Sequence, residues 1–276
     1  MVISGNKILI DSAERTNTNN LAPYHIYNGS LALASTVSTA GFSTTLYTGN
    51  GSTQSITTGV DMSTQWGNDV SETYGGLVWI KSRSASNYNL LHDTIRGFSK
   101  VISTNVTSAD STNNLIANTS TGFNILGNDV AYNQSGTTQV SWNFQTTHRR
   151  TGATNHGKAF TEHYNPFTGF TIIQYTGSGI AGHEIPHSLG RKLGFVTVKN
   201  LSAVSDWFSP LLETYSGGYV YLNATNASGT GSTHYSTDNT LVLTNTGYDL
   251  STNQYILYGW ANSYFDEANT LIGNYE

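Results

Sequence analysis

The sequence predicts an all-β protein, two tandem β-sandwich or jelly-roll modules behind an N-terminal arm, and three observations carry that expectation. Ser, Thr, Asn and Gly make up roughly 45% of the 276 residues, well above ordinary globular usage, and leave helix formers scarce. Tyr, Trp and Phe reach 12%, enough aromatic surface for a core and more than a disordered polar tract carries. The third observation is a duplication.

Residues 41–51, Gly-Phe-Ser-Thr-Thr-Leu-Tyr-Thr-Gly-Asn-Gly, match residues 169–179, Gly-Phe-Thr-Ile-Ile-Gln-Tyr-Thr-Gly-Ser-Gly, an offset of 128. Residues 76–85 match 194–203 at 118, and Val140–Phe144 matches Ile256–Trp260 at 116. The order of matches is kept while the spacing shrinks, as happens when strands are fixed and loops are free. Each copy carries about seven or eight strand-like runs between Gly, Asn or Ser turns, the pattern of a sandwich or jelly roll.

Taken in order, residues 1–40 belong to neither copy and form the arm. Its Leu-Ala-Leu-Ala-Ser-Thr-Val-Ser-Thr-Ala run suits a short helix, an extended segment docking on a neighbouring subunit, or a surface tether. The first module spans 41–150. In its first run Phe42, Thr44, Leu46 and Thr48 share one strand face and Ser43, Thr45 and Tyr47 the other. Leu77-Val78-Trp79-Ile80 is apolar on both faces, which predicts a central strand, with Phe195-Val196-Thr197-Val198 as its counterpart. Residues 151–168, rich in His, Thr, Asn and Gly and containing Pro166, read as a linker to the second module at 169–276.

Composition narrows the partners. Charged residues are 11% of the chain, the formal net charge is -5, and Lys and Arg are scattered, so the footprint of a nucleic-acid binder is missing. No run approaches the roughly 20 apolar residues of a membrane span, and the N-terminus lacks the signature of a secretory signal, so neither membrane nor secretion is expected. There is no Cys, which removes thiol catalysis and Cys-ligated zinc and fits assembly in a reducing cytoplasm or a protein that never relied on redox chemistry.

One motif argues for chemistry. His183, Glu184 and His187 spell the His-Glu-x-x-His of zinc peptidases, and Gly190 stands where a metzincin glycine belongs. The third ligand position, however, is Leu193. The motif also needs a helix, so that both imidazoles face one metal. Pro186 sits between the ligands, where a helix interior would lose about 3 kcal/mol, and Gly179, Gly182 and Gly190 crowd the same stretch. Allowing one inserted residue, Gln54-Ser55-Ile56-Thr57-Thr58-Gly59-Val60 aligns with His183–Leu189, so the matched slot of the first copy has no ligand. The motif therefore reads as a strand, with His183 and His187 on one face and Glu184 on the other. That reading expects a double replacement of the histidines to leave folding intact.

Other constellations are weaker. Sandwich-fold glucanases carry alternating carboxylates on one strand, whereas Asp266-Glu267 are adjacent, Glu162-His163 falls in the expected linker, and His92-Asp93 reads as a strand end. No glycine-framed serine or phosphate-cradling loop is present. No catalytic, cofactor-binding or metal-ligating residue is assigned, and no cofactor is expected. Trp79, Trp142, Trp207 and Trp260 lie in or beside strand runs and read as packing residues. Tyr215, Tyr219, Tyr221 and Tyr235 lie in glycine-rich, polar surroundings and are the candidates for a glycan or subunit contact.

The phrases at 41–51, Leu77-Val78-Trp79-Ile80-Lys81-Ser82-Arg83 and Leu91-His92-Asp93-Thr94-Ile95-Arg96-Gly97 resemble a family of bacteriophage structural proteins abundant in marine and cyanobacterial phages. Its members carry tandem modules with Tyr-Thr-Gly-Asn-Gly, Val-Trp-Ile-Lys-x-Arg and Phe-Asp-Thr-x-Arg-Gly phrases. Their turn before a Val-Lys-Asn strand is matched by His187-Ser188-Leu189-Gly190, with serine in place of the usual glycine. The resemblance spans residues 41 to about 265 and implies concanavalin A-like, lectin-type sandwiches. It further implies a non-enzymatic virion component, a tail fibre or adhesin-like part contacting host-surface glycans, assembled in the host cytoplasm. Its expected partners are other virion proteins, possible host cell-surface glycan, and copies of itself in a homo-oligomer, a trimer as first expectation. A capsid decoration, head-fibre or baseplate-attachment protein binding only other virion proteins is the alternative, and a polysaccharide-degrading enzyme the third.

Overall fold

A computed structural model of the chain describes residues 41–63, 75–212, 217–230 and 233–262, together with four backbone strands among the first forty residues. The chain divides into two compact units, residues 1–39 and 40–276. In the first, β1 (Val2–Ser4) pairs with β2 (Lys7–Leu9), and β3 (Tyr24–Tyr27) with β4 (Ser30–Leu33), two antiparallel hairpins. Ser30–Leu33, at the start of the segment read as helix or arm, is thus a strand.

The second unit is all-β, and its described residues contain no helix. In chain order it continues with β5 (Phe42–Thr48), β6 (Gln54–Thr57), β7 (Gly75–Ser82), β8 (Leu90–Asp93), β9 (Lys100–Ser103), β10 (Ser111–Thr112), β11 (Ile116–Thr119), β12 (Gly122–Ile125) and β13 (Thr138–Thr146). Then follow β14 (His148–Ala153), β15 (Ala159–Asn165), β16 (Phe170–Thr176), β17 (His183–Pro186), β18 (Leu193–Asn200), β19 (Phe208–Leu211), β20 (Gly218–Tyr221), β21 (Gly229–Thr230), β22 (Tyr235–Ser236), β23 (Thr240–Leu243) and β24 (Gln254–Ala261).

The sheet orders repeat. A six-stranded sheet runs β10-β9-β8-β7-β13-β5 and faces a three-stranded sheet β11-β12-β6. An eight-stranded sheet runs β21-β20-β19-β18-β24-β16-β15-β14 and faces β22-β23-β17. Apart from β14 and β15, each strand of the second set has a counterpart in the first at the same place. The register repeats as well. Thr44 pairs with Trp142 and Trp142 with Trp79, while Ile172 pairs with Tyr258 and Tyr258 with Thr197, which are the sequence offsets 128, 116 and 118.

The repeated Thr-Gly-x-Gly turn has a steric cause. A Cβ on Gly49 would stand 2.2 Å from the Gln134 carbonyl oxygen, and one on Gly177 2.1 Å from that of Leu250. Two residues on, Gly51 and Gly179 have φ of 70° and 69°, a left-handed conformation that glycine adopts without penalty. Neither position of the phrase therefore tolerates a side chain.

Three cores form, and alternation along the strands assigns residues to them. On β7, Val78 and Ile80 point to the core under the first small sheet with Ile56, Phe123 and Ile125, while Leu77 points the other way. On β24, Tyr255 and Leu257 join Ile185, Leu241 and Leu243 in the second core, and Ile256 and Tyr258 face away from it. The outward residues meet in a third core, where Leu77, Leu91 and Ile102 of one large sheet pack on Phe170, Ile172, Ile256, Tyr258 and Trp207 of the other. Burial of one such side chain contributes about 1.5–3 kcal/mol. The described sheets of the second unit are consequently stacked as four layers, small, large, large, small. Both-sided apolar strands such as β7 and β18 are flanked on each side by partners, as their sequence predicts.

The expected linker at 151–168 is instead largely strand. β14 and β15 make a hairpin that extends the eight-stranded sheet from β16. Its hub is Glu162, fully buried, whose carboxylate takes Arg150 Nε at 3.0 Å, Thr171 Oγ1 at 2.9 Å, and the backbone N–H and hydroxyl of Ser188, both at 2.8 Å. Burial pushes this carboxyl up, and Arg150 and Ser188 work against that rise. Four donors on one buried carboxylate satisfy the group that made the segment look polar.

Candidate functional site

The aromatic candidates divide. Tyr219 and Tyr221 lie on β20 two residues apart, hence on one face, and that face turns inward to the second core. Tyr221 stands opposite Phe208 in the ladder, and a residue not singled out in the sequence, Tyr248, completes the group. The Tyr248 ring stacks flat on Phe208, centroids 3.7 Å apart and planes 10° apart, and its hydroxyl is 2.6 Å from that of Tyr221. Burial and the Tyr221 bond push the Tyr248 phenol well up, so it stays a neutral hydrogen-bonding group. Tyr235 is on β22 of the three-stranded sheet and half exposed, and Tyr215 lies outside the described residues.

A cavity of about 240 Å³ adjoins the tyrosines. Val198, Phe208 and Tyr255 give it an apolar floor, Asn200 and Asp206 supply polar groups, and Tyr248 stands in its wall. Val204, 74% exposed, and Leu250, 49% exposed, form its rim. The loop from Leu201 to Asp206 is held from two sides. Asp206 Oδ1 accepts from Asn223 Nδ2 at 2.8 Å, and Asn223 Oδ1 accepts the Trp207 N–H at 2.7 Å. From the first half, the Thr107 carbonyl accepts the Ser205 N–H at 3.0 Å and Lys199 Nζ at 2.8 Å, and the Ser103 carbonyl accepts Trp207 Nε1 at 2.8 Å. Lys199 is fully buried, and its ammonium also bonds the Ser205 carbonyl. Burial lowers it to about 8, partly offset by Asp206. One half thus fixes the loop that shapes the cavity of the other.

The zinc-like motif is built into the fold differently. His183, Ile185 and His187 are buried and Glu184 is exposed, the alternation of a strand. β17 takes the place of β6, with Ile185 opposite Leu241 as Ile56 is opposite Phe123. The histidines have separate surroundings. His183 Nδ1 donates to Asp249 Oδ2 at 2.8 Å and its Nε2 is 2.7 Å from Thr154 Oγ1, while His187 Nε2 is 3.5 Å from Ser236 Oγ. Among the described residues no group of three His, Cys, Asp or Glu side chains converges as a metal set.

Hydroxyl, imidazole and carboxylate in line is also the arrangement of a hydrolase triad. Here Tyr175 packs edge-on against the His183 ring and His156 stacks on it, and the Thr154 hydroxyl also accepts the Lys158 N–H at 3.2 Å. The array clasps the β14–β15 turn to the Gly177–Gly179 turn, where Asp249 Oδ2 accepts the Ser178 hydroxyl at 2.6 Å. Removing His183 leaves buried partners unpaired, at about 1–3 kcal/mol or more.

The Asp93-Thr94-Ile95-Arg96-Gly97 phrase sits at the end of β8 and binds the halves together. Asp93 Oδ1 accepts the N–H groups of Ile95 (3.0 Å) and Arg96 (2.9 Å), and Oδ2 takes Arg96 Nε at 2.5 Å and the Tyr258 hydroxyl at 2.7 Å. Arg96 reaches on to Asp110 at 2.8 Å. Burial works to raise the Asp93 carboxyl, but Arg96 and the Tyr258 hydroxyl outweigh it and hold it below its ordinary value. Thr94 Oγ1 accepts the Gly76 N–H and shares a hydrogen bond with His163 Nδ1, both at 3.0 Å, which ties β15 to the same turn.

Layered antiparallel sheets with a tyrosine-walled cleft at one end define a class of all-β scaffold. Within it the chain belongs to the family described as Domain of unknown function (DUF7483), which matches residues 42–275, from the first residue of β5. No curated protein and no solved structure matches the chain.

Proposed function

We propose that this chain is a non-enzymatic structural component of a bacteriophage virion, a tail fibre or another surface-exposed adhesin-like part, that contacts host glycans through its second half. In this reading residues 41–150 and 151–276 are two copies of one lectin-like, jelly-roll sandwich module, and the chain assembles as a cyclic homo-oligomer, a trimer. The repeated strand order and register support the duplication. The phrases shared with phage structural proteins support the virion.

The observation that carries the glycan contact is a difference between matched positions. Leu90, Val101 and Ser103 of the first half correspond to Phe208, Tyr219 and Tyr221 of the second, and the aromatic set adjoins a cavity. Aromatic faces beside a few fixed polar groups suit sugar rings, which present C–H faces and hydroxyl edges. A glycan array with the purified chain tests the reading, together with labelled antibodies on intact particles. Binding to a defined glycan set and label at the tail are expected; no glycan bound and label spread over the capsid would overturn it.

A decoration or baseplate-attachment role has one observation in its favour. Phe42, Leu46 and Phe195 are 46%, 61% and 43% exposed on the large sheets, an apolar surface suited to another protein. Capsid-lattice copy numbers would select that role.

A further inference from the structure

We infer that the cavity beside Tyr248 is a subsite for one uncharged hexose ring, the terminal residue of a neutral glycan. This inference rests on the glycan-contact reading above and narrows it to a place and a ligand class. Three properties of the cavity carry it.

The first is size. At about 240 Å³ the cavity is smaller than the roughly 300–1,000 Å³ that encloses a drug-sized ligand, so it admits one ring and leaves the rest of a chain outside. The exposed rim at Val204 and Leu250 lets such a chain continue into solvent. The second is the mixture of surfaces. Tyr248, partly exposed, offers aromatic carbon to the C–H face of a pyranose above the buried Val198, Phe208 and Tyr255, and Asp206 offers an acceptor to its hydroxyls. Asp206 is positioned through Oδ1 by Asn223, and Oδ2 takes no part in that bond.

The third is charge. Among the described residues, Asp206 is the only carboxylate in the wall, and no Lys or Arg lines the cavity. Lys199, whose neighbours in sequence do line it, directs its ammonium to the carbonyls of Thr107 and Ser205. A uronate, sialate or phosphosugar would meet the Asp206 carboxylate with no described cation in the wall to pair with, and transferring its anion from water would be unfavourable. A neutral ring meets neither cost. The wall is also preorganised. Tyr248 is fixed by its stack on Phe208 and by Tyr221, and the 201–206 loop by Asn223 and the first half, so little freedom is lost when a ring enters.

The test uses the full chain and monosaccharide probes. Methyl glycosides of glucose, galactose, mannose and N-acetylglucosamine are compared with glucuronate and N-acetylneuraminate by saturation-transfer NMR and calorimetric titration. At least one neutral glycoside should bind with a millimolar or tighter Kd, and the two acids should bind at least tenfold more weakly. Val204→Trp, at an exposed rim position, should weaken that binding at least tenfold with an unchanged melting temperature. Asp206→Asn, which preserves an acceptor for Asn223, should weaken it about threefold or more. Binding within twofold of the parent in both variants, or preference for an acid, overturns the inference. If Val204→Trp leaves glycan-array binding intact, the adhesin reading stands and the cavity is not its site. If the parent chain binds no array glycan and no glycoside, both fail.

Discussion

Placed strand on strand, the two halves of residues 40–276 differ most at one end of their inner faces. In the first half Leu90, Val101 and Ser103 are small or aliphatic, and Tyr132, the counterpart of Tyr248, is buried. Its hydroxyl donates to His92 Nε2 at 2.8 Å, because His92 Nδ1 must donate to the Phe98 carbonyl 2.9 Å away. In the second half Pro210 replaces His92, Tyr248 turns to Tyr221 instead, and the end of the sandwich opens beside the cavity. One scaffold is thus sealed with a histidine and opened with tyrosines. The lesson is that one strand order and register hold in both halves while side chains on one face differ.

The largest expected effect breaks the halves apart. The ion cluster belongs to the first half alone, since Asp93 corresponds to Leu211. Arg96→Met strands a buried carboxylate at the junction and should cost about 3–5 kcal/mol, seen as an earlier denaturant midpoint, with loss of the 201–206 loop order by hydrogen exchange.

Acid should come next. Burial lowers His92, His163 and His187 each to about 4. Above pH 6.5 these groups are neutral whether the chain is folded or not. As pH falls from 6.5 towards 4 the unfolded chain takes up the proton first, so stability declines, by about 3 kcal/mol per histidine at most. Melting temperatures at pH 7.5, 6 and 5 check the slope, and His92→Gln should flatten it.

A smaller effect sharpens the comparison at a single pair. Tyr219 and Gly229 stand where the first half has Val101 and Ser111, and a Cβ on Gly229 would meet the Tyr219 ring at 2.1 Å. Gly229→Ser should cost about 1–3 kcal/mol, and adding Tyr219→Val should recover most of it, a coupling that a double-mutant cycle in urea would measure. The smallest difference contrasts the two tyrosines. Tyr132→Phe leaves His92 Nε2 buried without a donor, about 1–3 kcal/mol, whereas Tyr248→Phe removes a bond to the partly exposed Tyr221 and should cost about 1 kcal/mol or less.

Much of the fold could be read from local pattern. The Thr-Gly-x-Gly turns, the both-sided apolar run at Leu77–Ile80 and the three offsets lie within single strands and turns, where period and sterics act between near neighbours. The β14–β15 hairpin was not legible, because its inward positions carry Glu162, His163 and Asn165, which look like loop residues until Arg150, Thr171, Ser188 and Thr94 are brought to them. Tyr248 was likewise hidden in a polar turn. One signal could have found it, since it stands 116 residues after Tyr132, the offset that also relates Trp142 to Tyr258.

The sequence by itself determined that the chain is all-β, where its turns must fall, and that His183-Glu184-Ile185-Pro186 is a strand. Proline, glycine and alternation act on the residues beside them, and no distant contact is needed to know their effect. Only the tertiary structure decided that two large sheets share a buried junction, that Asp93 and Arg96 serve it, and that Phe208, Tyr221 and Tyr248 meet beside a cavity. Those outcomes depend on which of a strand's two faces meets which neighbour, and partners up to 165 residues apart, such as Asp93 and Tyr258, choose one another only when the layers stack.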